Sequence, residues 1–144
     1  MPSMWHLQSD LMESNGIIVR PSKASVKTTI NHFVEFLQNH GATIYARIDQ
    51  QAEAQKAGVE LRPLEFLLFG NPAKGAQLMK ENILSALDLP LKIIAWGDED
   101  GKTWVAFNDV TYVTARFDLS ADKDSPLNLG PMVEYLLKNQ IGEE

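Results

Sequence analysis

Residues 42–49, ATIYARID, alternate between two kinds of side chain. In an extended strand Ile44, Ala46 and Ile48 share one face, and Tyr45, Arg47 and Asp49 share the other. The segment 16–20, GIIVR, is short, branched and apolar, and predicts a strand interrupted by Pro21. Behind it, Val26, Ile30, Phe33, Val34 and Leu37 recur at three-to-four spacing between a capping Ser25 and a terminating Gly41. That spacing predicts an amphipathic helix. After the alternating strand, QQAEAQKAG reads as a short helical turn with Asp49 as its N-cap and Gly58 as its stop.

Residues 64–69, LEFLLF, form a nearly continuous apolar run, the signature of a central strand. AQLMKENILSAL is helical in composition. LPLKIIAWGDEDGKTWVAFN then predicts two strands around a turn at Asp100-Gly101. Lys92, Ile94 and Trp96 share a face of the first strand. Trp104 and Ala106 share one face of the second, and Thr103, Val105 and Phe107 the other. NDVTYVTARF predicts a short helix capped by Asn108 or Asp109. LSADKDSPLNLG is a polar connection, and Pro131 opens a last helix with Met132, Val133, Leu136 and Leu137 on its inner stripe. The order is β-α-β4-α with small helical insertions. It predicts an α+β fold, a two-layer, mostly antiparallel five-stranded sheet with helices on one face. Residues 1–15 read as an N-terminal extension and 16–142 as a single domain.

The 144 residues suffice for one domain with its own core. There is no cysteine, which excludes disulfides, thiolate nucleophiles and cysteine-held metals. A net charge of −6 disfavours nucleic acid as a partner. MPSMWHLQSDLMES lacks the charged start and long apolar run of a secretory leader, and no stretch has the ~18 apolar residues of a membrane-spanning helix. The expectation is a cytoplasmic protein with no membrane or nucleic-acid partner.

Candidate chemistry is sparse. Gly70, Asn71, Pro72, Ala73, Lys74 and Gly75 have the glycine spacing of a phosphate-binding loop, but Ala76 and Gln77 stand where that motif needs Lys and Ser/Thr. Lys74 lies on the wrong side of the second glycine. The simpler reading is that the glycines and Asn-Pro bend the chain. Arg47 and Asp49, with Asp88 ahead of a neighbouring strand, would suit acid–base work if burial raised one carboxyl's pKa. Each also has a structural use: Asp49 as a cap, Asp88 in a turn before Pro90, Arg47 as partner to either. His32 and His40 are eight apart on one helix, ~12 Å of rise, too far to share a metal. No serine-elbow or dinucleotide fingerprint occurs, so no catalytic residue, metal site or cofactor is assigned. Trp96 and Trp104 flank the hairpin. With Tyr45 they are candidates for an apolar working surface, an interface or a ligand cleft.

The blocks GIIV, SKASVKTTI, GATIYARID, AQKAGVELRP, LLFGNPAKGAQLM, ALDLPLKIIAW and GKTWVAFND, in that order, resemble the domain-of-unknown-function 302 family from about residue 16 to residue 117. The resemblance implies a TBP-like fold with a curved antiparallel sheet, and a dimer. It implies no activity. The family pattern places histidines after the Asp of ID and after the Arg of the short helix; this chain has Gln50 and Phe117 there. Arg47, Asp49, Asn71, Asp88 and Arg116 match the pattern. The expectation is a non-enzymatic binding or interaction module acting as a homodimer. The alternative is an enzyme or binding protein for a small anionic molecule, using Arg47, Asp49, Asp88 and the 70–75 loop with Lys74.

Overall fold

The computed structural model describes residues 15–120, 125–139 and 141. Most of the N-terminal extension and the end of the domain therefore lie outside the described residues. The elements run β1 (Ile17–Ser22), α1 (Val26–Asn39), β2 (Thr43–Asp49), α2 (Gln50–Lys56), β3 (Leu64–Gly70), α3 (Pro72–Glu81), a 3-10 turn (Ile83–Asp88), β4 (Leu91–Gly97), β5 (Thr103–Asn108), α4 (Val110–Phe117) and α5 (Gly130–Asn139). The strands form one sheet in the order β1-β5-β4-β3-β2. Every neighbouring pair is antiparallel.

Local chemistry accounts for most of the boundaries. The Ser25 side chain accepts the Thr28 amide at the start of α1, Asp49 accepts that of Ala52 for α2, and Asp109 that of Thr111 for α4. Gly58 follows α2 at a φ of 78°, the left-handed conformation that glycine takes without strain. The helical stretch 76–87 is divided. Asn82 ends α3, accepts the Leu84 amide and donates Nδ2 to the Phe117 carbonyl at 2.8 Å. Its side chain thus competes with the helix ladder and breaks it.

Two expectations about strands are corrected. Pro21 does not interrupt β1, which continues to Ser22. Among the described residues β1 is an edge strand with β5 as its one neighbour in the sheet order, so the missing proline N–H need not face a second partner. In β2 the register shifts between Ile44 and Ala46. Ile44 lies opposite Phe69, while Ala46 and Ile48 lie opposite Leu68 and Phe66. A bulge at Tyr45 therefore moves Ile44 to the other face from Ala46 and Ile48.

One face of the sheet carries Leu67, Phe69, Ile93, Ala95, Val105 and Phe107, all buried. They pack with Val26, Ile30, Phe33 and Leu37 of α1 and Val133 and Leu136 of α5 in a single cluster. Arg20 of β1 and Glu134 of α5 meet at 2.8 Å and tie the last helix to the sheet edge. A smaller cluster of Leu78, Val113, Phe117, Leu119 and Leu127 joins α3 and α4 at the end of the sheet where β3 finishes and β4 begins.

Candidate functional site

The reverse face of the sheet carries Leu64, Phe66, Ile94, Trp96, Trp104 and Ala106, as the strand registers require. Trp96 and Trp104 are direct cross-strand partners. Part of this face is the floor of a cleft of about 1420 Å³, formed by Ile17, Leu64, Ile94, Trp96 and Ala106. Gln51 and Gln55 of α2 and residues 59–63 wall it, and Asp98, Glu99 and Asp100 of the hairpin tip rim it. The rim is predominantly acidic, with Glu60 added and Arg62 held 3.7 Å from Glu99.

Asp98 fixes the hairpin tip. One carboxylate oxygen accepts the amides of Asp100 and Lys102, each at 2.9 Å, and the other accepts Trp104 Nε1 at 2.9 Å. The indole hydrogen bond, with the two amides and the Lys102 charge, holds the Asp98 carboxyl below its ordinary value of 3.8, although partial desolvation works in the opposite direction. A depressed folded-state pKa means that this stabilisation is present above the unfolded value and is lost as pH falls through the folded one. Melting curves of the wild type and Asp98→Asn are therefore expected to differ near neutral pH. The difference should shrink as pH drops below 3.8; a gap unchanged down to the lowest pH would refute the assignment.

The sequence candidates are distributed over several places. Arg47 pairs with neither Asp49 nor Asp88. Its Nε donates to Glu65 at 2.7 Å, while its terminal nitrogens donate to Asn31 Oδ1 at 2.7 Å and the Lys27 carbonyl at 3.3 Å. Asp49 accepts the Ala52 amide at 2.9 Å as the cap of α2. Asp88 accepts both of its hydrogen bonds from Arg116 Nη1, at 3.2 and 3.0 Å, and the Arg116 guanidinium also lies 5.0 Å from the centre of the Phe117 ring. Gln50 opens α2, whereas Phe117 is buried in the cluster at the other end of the sheet. The two family histidine positions thus do not meet within one chain.

Glu65 carries the signal that sequence reasoning passed over. It is 4% exposed on the helix-covered face. In LEFLLF it is the one carboxylate breaking an apolar run, and a charge inside a buried strand demands a partner.

The 70–75 loop is also not what its glycines suggested. Gly70 closes β3 and Gly75 lies inside α3, and neither has a positive φ. Asn71 and Pro72 make the turn instead: Asn71 accepts the Lys74 amide at 3.1 Å, and Pro72 occupies the first turn of the helix, where no N–H is needed. Lys74 is exposed. Gly70, Asn71, Pro72 and Gly75 line a second, smaller pocket of about 210 Å³ together with Tyr45 and Pro90. Tyr45 therefore does not join the tryptophans. It sits beside Leu68 and Phe69, whereas Trp96 pairs with Leu64 at the opposite end of β3, about 15 Å away at ~3.3 Å per residue. Among the described residues no group of three or more His, Asp or Glu side chains is placed to hold a metal ion.

A crystal structure of an uncharacterized conserved protein DUF302 from Bacillus stearothermophilus matches with a TM-score of 0.70 over 85% of this chain and 96% of that one, at 19% identity, which is a likeness of fold. The fluoride-specific ion channel FluC 1 of Brucella suis biovar 1 (strain 1330) is 34% identical over 110 residues, 76% of this chain and 43% of that protein. FluC 2 of Brucella melitensis biotype 1 is likewise 34% identical over 110 residues, 41% of its length. The chain thus spans less than half the length of these curated relatives. The family model described as domain of unknown function DUF302 matches residues 18–128, most of the chain and every strand but the first residue of β1, and so this chain belongs to the DUF302 family.

Proposed function

We propose that this chain is a non-catalytic binding module that works as a homodimer, with the reverse-face cleft as its working surface. The observation that carries this reading is the cleft itself, an apolar floor with a tryptophan at one end, enclosed by an acidic and carboxamide rim. Concave, largely apolar surfaces with a few polar groups at the edge are what ligands and partners occupy. The candidate acids are already committed: Asp49 to a helix cap, Asp88 to Arg116 and Glu65 to Arg47. Groups engaged in this way favour binding over proton transfer.

The channel relatives fit the same reading. A path for an ion through a bilayer needs membrane-spanning segments. Among the described residues no helix is long and apolar enough to cross a membrane. We therefore assign this chain the part that accompanies conduction in those longer proteins, rather than conduction itself.

Light scattering on a sizing column tests the assembly. The expected mass is twice the 16.1 kDa of one chain. Ile94→Asp, which sets a charge on the cleft floor, should return a folded monomer, because an unpaired charge is not tolerated in an apolar interface. A wild type that runs as a monomer at micromolar concentration removes the homodimer. A variant that stays dimeric moves the interface off this face.

A further inference from the structure

We propose that the small pocket between Tyr45, the 70–75 loop and Pro90 binds an uncharged, ring-shaped molecule about the size of indole, carrying one polar atom. This site lies at the opposite end of β3 from the tryptophans and is independent of the reverse-face reading.

The glycines make the first argument. Neither Gly70 nor Gly75 has a positive φ, so their backbone conformations are open to any residue. Nor is either excluded by crowding. A Cβ on Gly70 would meet the Tyr45 ring at 3.8 Å and Pro90 at 3.9 Å; one on Gly75 would meet the Met79 methyl at 3.9 Å. These are ordinary contacts, and every atom met belongs to the pocket lining. Glycine inside α3 also costs helix stability relative to alanine. What the two missing side chains achieve is open space in the pocket.

The lining sets the chemistry of the occupant. Among the described residues the rest of the lining is apolar apart from Tyr45 and Asn71, and it includes no charged side chain. An ion entering it would lose water without gaining a counter-charge, so the occupant is neutral. The volume of about 210 Å³ exceeds the ~150 Å³ of a cavity that admits benzene and falls short of the ~300 Å³ at which sites for drug-sized ligands begin. Polar contacts come from two groups. Asn71 has committed its Oδ1 to the Lys74 amide, which leaves its Nδ2 as a donor, and the Tyr45 hydroxyl can donate or accept. Met79 supplies a flexible wall that adapts to ring shape.

Indole is the probe, followed by amide NMR on the isotope-labelled protein. The expected result is saturable shifts at the amides of Gly70, Asn71 and Gly75, with the Trp96 indole N–H unmoved. Gly70→Ala/Gly75→Ala should stay folded, melt no lower than the wild type and bind indole about tenfold or more weakly, since two methyl groups take up the space. Tyr45→Phe should weaken indole but leave toluene unchanged, which separates a hydrogen-bonding role from a packing one. Indole-3-carboxylate should bind at least about tenfold more weakly than indole. Absence of shifts at the two glycines up to the solubility of indole, undiminished binding by the double variant, or preference for the carboxylate would each overturn the proposal.

Discussion

Phe33→Ala is expected to cost the domain about 3–5 kcal/mol, the range for removing a buried aromatic side chain. Phe33 is fully buried in α1, in the cluster that joins this helix to Leu67, Ile93 and Val105 of three strands and to Val133 and Leu136 of α5. Truncation leaves a void that neither layer can close, because the sheet is held by its ladders and the helix by its neighbours. For a chain of this size the loss corresponds to a melting temperature lower by roughly 6–20 °C. Urea unfolding followed by far-ultraviolet circular dichroism measures it. A cost below about 1 kcal/mol would mean that α1 does not pack on the sheet as described. The same substitution at Phe36, which is only half-buried, should cost clearly less.

The second large effect concerns Arg47 and Glu65. The Glu65 side chain is 6% exposed and that of Arg47 30%, at an Nε–Oε1 distance of 2.7 Å. Lys27 stands 3.8 Å from the other carboxylate oxygen but is itself mostly in water. Arg47→Ala removes the partner of a buried carboxylate and the bonds to Asn31 and the Lys27 carbonyl that fasten α1 to the sheet. Breaking a buried pair from one side costs ~3–5 kcal/mol; because Lys27 and water reach this pair, about 2–3 kcal/mol is expected. Arg47→Lys should recover only part of that, since an ammonium cannot span three acceptors as the planar guanidinium does. The double variant Arg47→Met/Glu65→Leu should return to within about 1 kcal/mol of the wild type, because no charge is then left buried. The cycle separates two roles for Arg47. A structural pin gives this pattern of recovery and leaves indole binding untouched. An anion-binding arginine, as in the alternative reading of the sequence, would lose its ligand in every variant, including the stable double one.

Much of the architecture is written in short-range pattern. Ser25, Asp49 and Asp109 cap helices because a side-chain oxygen reaches an amide two or three residues on, and nothing distant enters that bond. The hairpin around Asp100-Gly101, the face sharing within β4 and β5, and the inner stripes of α1 and α5 follow from periodicity in the same way. The family resemblance covers about residues 16 to 117, and the family model runs from 18 to 128.

The candidate site was less legible, for a physical reason. The sequence argument offered Arg47 two carboxylates, Asp49 and Asp88, and only the pairing of β2 with β3 places Glu65 beside it, eighteen residues away in the chain. The bulge at Tyr45, which reverses the face of Ile44, depends on how two strands fit and leaves no mark in the alternation of either one. Pro21 is tolerated because β1 lies at the edge, a property of strand order. The space beside the two glycines shows only once Tyr45 and Pro90 stand next to Gly70 and Met79 next to Gly75. Most of the helices and strands, the places where most of them begin, and the family could be read along the chain, because those depend on near neighbours in it. Charge pairing, register and the shape of the pockets were decided by the tertiary structure alone, because each is a relation between residues that only the folded sheet brings together.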